Sequence, residues 1–366
     1  MATLAEAEPP PAAAPRAPAR LRTGGVAALA MLLAGLLLVS ITLNLALGAV
    51  PIAPAALLGA LVPGLAEASG AAEEAVLVIR EIRLPRLLAA LSVGAALTVS
   101  GAALQALFRN PLADPGLLGV STGAALGAAL WFVAGAGLAV ATHPDAIPFL
   151  LPLASFLGAL GAISVILALS SRAGPNATVL MLLLGIGVNA LGGALIGLAT
   201  YVATDAELRG LALWLLGTLA QTERPVLLVA LPLIVGCLLG LLSTARALDL
   251  LALGEDGAQH LGVDVRQLRR RLAVLTALAV GAAVALAGLI GFLGLVVPHL
   301  VRLIVGPGNR LLLPLAALAG ALTLSLADLA ARLVALPAEV PVGIVMAFAG
   351  APVFLWVLLS SWRRAA

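Results

Sequence analysis

The chain has no lysine: all 20 of its basic residues are arginine. A phosphate-binding loop needs a lysine to reach the phosphates of a nucleotide, so ATP hydrolysis through that motif is excluded. Cysteine is almost as scarce. Cys237 is the single one and lies in an apolar run, which excludes an internal disulfide and a cysteine metal cluster. Only three histidines occur, His143, His260 and His299, and no two have ligand spacing, so no tightly bound metal or haem is expected. Aromatic residues are 3% and charged residues 10% of the chain. A soluble domain with so few charges would have too little polar surface to face water. The net charge is +3, but the arginines stand singly at the ends of apolar runs, not on one solvated face, which argues against a nucleic-acid partner.

What is present is apolar length. Hydrophobic residues make up 62% of the chain, and the mean hydropathy is +1.17. A bilayer-spanning helix needs about 20 apolar residues. By that rule the sequence predicts an all-α polytopic membrane protein with about ten transmembrane helices. Their expected positions are 25–48, 86–108, 116–137, 148–170, 178–201, 225–244, 272–289, 291–305, 310–334 and 341–361. The eighth is short and carries Gly294 and Pro298; the alternative for it is a half-buried segment. Residues 1–23, rich in Ala and Pro, read as a disordered cytoplasmic tail ahead of a membrane domain over 24–362. A signal peptide ranks lower, because the run that follows exceeds an h-region of about 7–15 residues. With this topology fourteen arginines fall in inner segments and the other six in outer ones, which places both termini in the cytoplasm.

Three stretches carry more information than hydropathy. The first, Arg83–Ala125, runs RLPR, an uncharged span containing Gln105, then FRNPLADPGLLGVS. Gly119, Gly123 and Gly127 follow at four-residue spacing, a strip on which another helix can pack closely. The second is the inner loop Thr244–Arg271. Gly254 and Gly262 punctuate it at helix length, predicting short helices over 247–253 and 255–261, with Leu248, Leu251, Leu253 and Leu261 as an apolar component. The third is Gly288–Ala351, with GLIGFLGLVVPHLVRLIVGPGNR, SLADLAARL and EVPVGIVMAFAGAP. Outside these, residues 208–219 read as a short surface helix with Trp214 at the interface. Asp328 and Arg332, four apart on one helix face, read as a pair.

Taken in order, these landmarks resemble the FecCD family, the permease subunits of ABC importers for iron-siderophores, haem and cobalamin. The likeness covers about residues 30–362, and TYVATDAELRGLALWLLGTL is closest to the haem-importing branch. The resemblance implies a type II importer permease of a bacterial inner membrane, working as a homodimer in lipid with two ATP-binding subunits and a periplasmic or lipid-anchored substrate-binding protein. It implies no catalytic residue and no cofactor of the chain's own, ATP being bound by the partner subunit. It places Arg83, Arg86 and Arg332 at the docking site for the binding protein. Asn110 and Leu112 fall at an inner gate, and Thr178 in the neighbouring gate loop. Gly185, Asn189 and Gly193 fall on the pathway wall. Ala252, Leu253, Gly254, Glu255, Asp256, Leu261 and Gly262 match the loop that couples to the ATPase. The implied cargo is an iron chelate such as haem or an iron-siderophore, with cobalamin as the alternative. A secondary transporter is the competing class; it needs an ion-binding carboxylate in mid-span, for which Asp328 is the one candidate. A membrane enzyme would need a cluster of reactive side chains at one depth, and no such cluster is visible in the sequence.

Overall fold

The computed structural model describes residues 23–48, 52, 57, 73–140, 143–171, 174 and 177–365, without the side chains of 136–140 and 360–365. The expected tail up to residue 22, and most of the outer loop between 51 and 72, lie outside the described residues. Among these residues there is no strand. The helices are α1 (Thr23–Ala46), α2 (Glu73–Leu107), α3 (Val120–Val140), α4 (Ile147–Ser170), α5 (Ala177–Val202), α6 (Asp205–Leu215) and α7 (Arg224–Leu242). Then come α8 (Ala245–Leu251), α9 (Glu255–His260), α10 (Val265–Ala287), α11 (Leu293–Val305), α12 (Asn309–Leu333) and α13 (Val342–Ala365).

Of the ten expected spans, eight correspond to described helices that are long and apolar enough to cross a membrane by length and composition. The third is α3, a helix of 21 residues, and the eighth is the shorter α11, Leu293–Val305. At 1.5 Å per residue α11 is only about 20 Å long, short of a hydrocarbon core of about 30 Å.

The bundle is built around α2. The sequence reading starts this span at Arg86 and treats RLPR as its boundary; instead one helix of 35 residues runs straight through it. Val78–Arg83 is wound as a π turn, in which the Leu84 N–H donates to the Ile79 carbonyl five residues back. Pro85 comes next and has no N–H to give, so the wider turn absorbs the missing bond without breaking the helix. Of the most apolar stretch of α2, 89% is buried, and for α10 and α12 the figure is 67%. By contrast α1 is 6% and α5 17% buried. The core therefore lies where α2 packs on α7, α10, α11 and α12, while α1 and α5 lie at the periphery.

Small residues set these distances. A Cβ on Gly101 would stand 1.8 Å from the Gly294 carbonyl oxygen, and one on Gly94 2.4 Å from that of Gly320. Backbones pack against backbones here, as membrane helices do when dispersion rather than hydrophobicity holds them. The expected glycine strip behaves likewise at two of its positions. Gly123 and Gly127 meet the carbonyls of Gly158 and Ala154 on α4, while Gly119, at φ +68°, ends the turn before α3.

Candidate functional site

The loop between α7 and α10 folds into two short helices, one turn or two each, close to where its glycines put them. Gly254 (φ +107°) and Gly262 (φ +84°) both adopt backbone conformations that disfavour a side chain. The loop's leucines divide by face. Leu248 and Leu251 are buried against the bundle, together with Ala258. Leu253 and Leu261 are 68% and 56% exposed. Ala252, Asp256 and Gly262 are exposed beside them, and Gly254 is half-buried. Six of the seven residues expected to couple thus form or border one outward knob. Glu255 does not belong to it: its carboxylate turns back into the bundle.

Two carboxylates moor this knob. Asp249 on α8 accepts from the backbone N–H (2.6 Å) and side-chain amide (2.9 Å) of Asn309, at the start of α12. Glu255 accepts from Arg269 on α10 (3.0 Å) and from the Thr178 hydroxyl (3.2 Å), the second residue of α5. Asp264 caps α10 by accepting from the Gln267 N–H at 2.9 Å.

At the same end of the bundle the chain turns between α2 and α3. Arg109 takes a positive φ of +50°, and the Asn110 N–H donates to the Gln105 carbonyl at 3.1 Å. Asn110 Oδ1 accepts the Leu112 N–H at 2.9 Å, so these two expected gate residues form one local unit, and both are exposed. Asp114 then caps the turn Pro115–Leu118 through the Gly116 N–H at 2.8 Å. Burial raises the Asp114 carboxyl above the usual carboxylate range, and the Gly116 N–H opposes that shift.

Helix α5 meets this turn at two of the three expected pathway residues. Asn189 donates to the Gly116 carbonyl (2.9 Å) and accepts from Thr122 (2.6 Å). A Cβ on Gly185 would stand 1.8 Å from the Leu117 carbonyl. Gly193, by contrast, is exposed with nothing within 4 Å of a Cβ. The split is geometric: a helix turns about 100° per residue, so eight residues at four-residue spacing drift about 80° around it. Gly185 and Asn189 therefore brace the turn, and Gly193 lies on the open face.

At the other end the three arginines are not the exposed rim the sequence reading expects. Arg83, Arg86 and Arg332 are 6%, 8% and 6% exposed. Arg86 pairs with Asp328 at 2.9 Å and with Glu339 at 2.7 Å. The expected Asp328–Arg332 pair is present at 3.3 Å, but Arg86 is the nearer partner. Arg332 also donates to Asn44 and to the Leu47 carbonyl, and Arg83 donates to the Leu45 carbonyl at 2.6 Å. Asn44 and Ser40 continue the network by hydrogen bonds to Ser325. The guanidiniums are absorbed because the carbonyls left open where α1 ends need donors and Asp328, fully buried, needs counter-charge. Trp214 is likewise buried within the protein, and its helix starts at Asp205, three residues before the expected Leu208. Thr204 and Glu207 form a capping box there, a signal that the sequence displayed. Sequence reasoning also missed Asp249, Asp114, Glu339 and the Ser40–Asn44 pair. The last had a visible cue: Ser40, Thr42 and Asn44 stand at alternate positions in a span that is apolar from Val26 to Val39.

This arrangement is a membrane helix bundle with an exposed knob at one end, hydrogen-bonded to helix α5, which also holds the adjacent turn. The FecCD transport family matches residues 36–360. The hemin transport system permease protein HmuU of Yersinia pestis is 51% identical over 284 residues, 76% of this chain and 82% of that protein. The cobalamin import system permease protein BtuC of Halobacterium salinarum is 42% identical over 296 residues, 81% of this chain and 77% of that one. Among solved structures, an inward-facing metal-chelate type ABC transporter superposes with a TM-score of 0.77 at 30% identity, covering 93% of this chain and 100% of that one.

Proposed function

The chain belongs to the FecCD transport family, and from that premise we propose that it is the membrane-spanning subunit of an ATP-driven importer that carries an iron chelate, haem in the first place, across a bacterial inner membrane. The observation that carries the haem reading is the extent of the likeness to a hemin permease, which spans most of both chains. Cobalamin is the second reading, favoured by the BtuC relatives.

The ATPase is a separate polypeptide on this reading, since the chain has no lysine for a phosphate loop. Two copies of the chain pair around the pathway, with the exposed half of α5 toward the partner copy. The knob at Leu253 and Leu261 sits on the cytoplasmic side and inserts into a groove of the ATP-binding subunit. The chain's inner gate is the Asn110–Leu112 turn with Thr178 beside it. Both termini are cytoplasmic. Docking of a substrate-binding protein occurs at the arginine end. With those guanidiniums buried, it is carried by the surface they organise, Glu339 included. An ion-coupled mechanism has little to work with, because Asp328 is held between two guanidiniums.

The test is reconstitution in lipid vesicles. The chain alone should hydrolyse no ATP; with its ATP-binding subunits it should take up haem when ATP is supplied. Robust hydrolysis by the isolated chain, free of contaminating ATPases, would overturn the division of labour. Uptake of cobalamin but not haem would move the cargo to the second reading.

A further inference from the structure

Glu255 is the one residue of the loop motif whose side chain leaves the docking surface. It starts α9, yet its carboxylate binds Arg269 of α10 and Thr178 of α5. Arg269 is 7% exposed, and its Nε has no hydrogen-bond partner among the described residues, so the contact at its NH2 is a principal anchor for a buried charge. Helix α5, at the other end of the link, is only lightly held by the bundle. It packs on α3, α4 and the Pro115–Leu118 turn. Its two polar hooks lie at Thr178 and at Asn189, and the second grips the turn that follows Asn110 and Leu112.

We propose that Glu255 is a positioning residue of transport: through Thr178 it makes α5 follow the loop, and α5 in turn carries the inner turn through Asn189. The proposal rests on the reading of the loop as the knob that docks on an ATPase. The geometry supplies both requirements of a link, stiffness and room. Thr178 and Asn189 are eleven positions apart on one continuous helix, so a displacement at one end is passed to the other. A cavity of about 710 Å³, lined by Glu255, Arg269, Ala177 and Met181 among others, lies beside the contact. The Glu255 carboxylate can swing there without repacking a core. A hydroxyl-to-carboxylate hydrogen bond is strong enough to transmit a small movement and weak enough to exchange during a cycle.

The experiment uses the full chain assembled with its ATP-binding subunits in lipid vesicles, with haem as the probe and the readout haem moved per ATP hydrolysed. Glu255→Ala and Thr178→Val should keep the ATPase bound and hydrolysing while haem moved per ATP falls about tenfold, the factor expected for one charge-assisted hydrogen bond. Thr178→Ser, and to a lesser degree Glu255→Gln, should restore the ratio. The double variant should be no worse than Glu255→Ala alone, because Thr178→Val breaks a contact that Glu255→Ala already removes. An unchanged ratio in Thr178→Val, a multiplicative loss in the double variant, or loss of the ATPase from Glu255→Ala would each overturn the proposal, the last by making Glu255 a docking residue. A wild-type chain that recruits no ATP-binding subunit would fail at the earlier step and sink the proposed function itself.

Discussion

Replacing Asp328 by Asn should destabilise the bundle far more than any surface change. The carboxylate is fully buried and is approached by Arg86 at 2.9 Å and by Arg332 at 3.3 Å. At an effective dielectric of 20, each such contact is an attraction of about 5 kcal/mol before desolvation is counted. The pair's net contribution is much smaller, but breaking it leaves two guanidiniums buried and facing one another. Removing one partner of a buried ion pair costs about 3–5 kcal/mol, roughly two to three and a half orders of magnitude in the folding equilibrium. The chain carries its own reporter: Cys237 is its single thiol and is buried. Labelling by a fluorescent maleimide in detergent, as denaturant is raised, should begin at distinctly lower denaturant in Asp328→Asn than in the wild type. Adding Arg332→Gln should recover part of the loss, because it removes one of the stranded charges. Glu339→Gln touches a carboxylate 39% exposed and should cost at most about 1 kcal/mol. A labelling curve for Asp328→Asn that coincides with the wild type would refute the argument, and with it the view that the arginines serve the bundle first.

Leu253→Asp should leave folding unchanged, since the side chain is 68% exposed. Co-purification of the ATP-binding subunit should nonetheless fall at least tenfold, because burying a leucine on docking contributes about 1.5–3 kcal/mol. Gly101→Ala should destabilise by about 1–3 kcal/mol or more, read by thermal unfolding in detergent, because the new methyl falls on the Gly294 carbonyl. The Asp114 carboxyl, raised by burial, contributes stability that is present at low pH and lost as pH rises through its folded-state value. Asp114→Asn keeps an oxygen for the Gly116 N–H and should flatten the fall of stability with rising pH; an unaltered pH profile would contradict it.

The loop was legible because its information is local. Gly254 and Gly262 punctuate the loop at helix length, so glycine spacing alone located both helices to within two residues. Which leucines turn to the bundle was not legible from spacing, and Asn110 and Leu112 were placed by the family resemblance. The arginine end was not legible, because what decides its character lies far away in sequence. The partners of Arg86 are 242 and 253 residues distant, and those of Arg332 other than Asp328 lie 285 and 288 residues back. An arginine beside an apolar run reads as a surface charge until a carboxylate from another helix is found opposite it. The eighth span is short for a further reason. Apolar length is the only signal hydropathy uses, and α11 meets its partners over 13 residues by close backbone contact at Gly294.

The seam between α1 and α12 has a consequence for how the protein is made. Asn44 leaves the ribosome early, but the carbonyl it donates to, that of Ser325, follows 281 residues later. The Ser40 hydroxyl waits 285 residues for its partner. Until then the Asn44 amide and the Ser40 hydroxyl have only each other and their own helix to bond to, since a bilayer core supplies no water. Helix α1 is therefore seated only after α12 has followed it. Until α12 arrives with the serine and arginine that hold it, α1 rests provisionally among lipids.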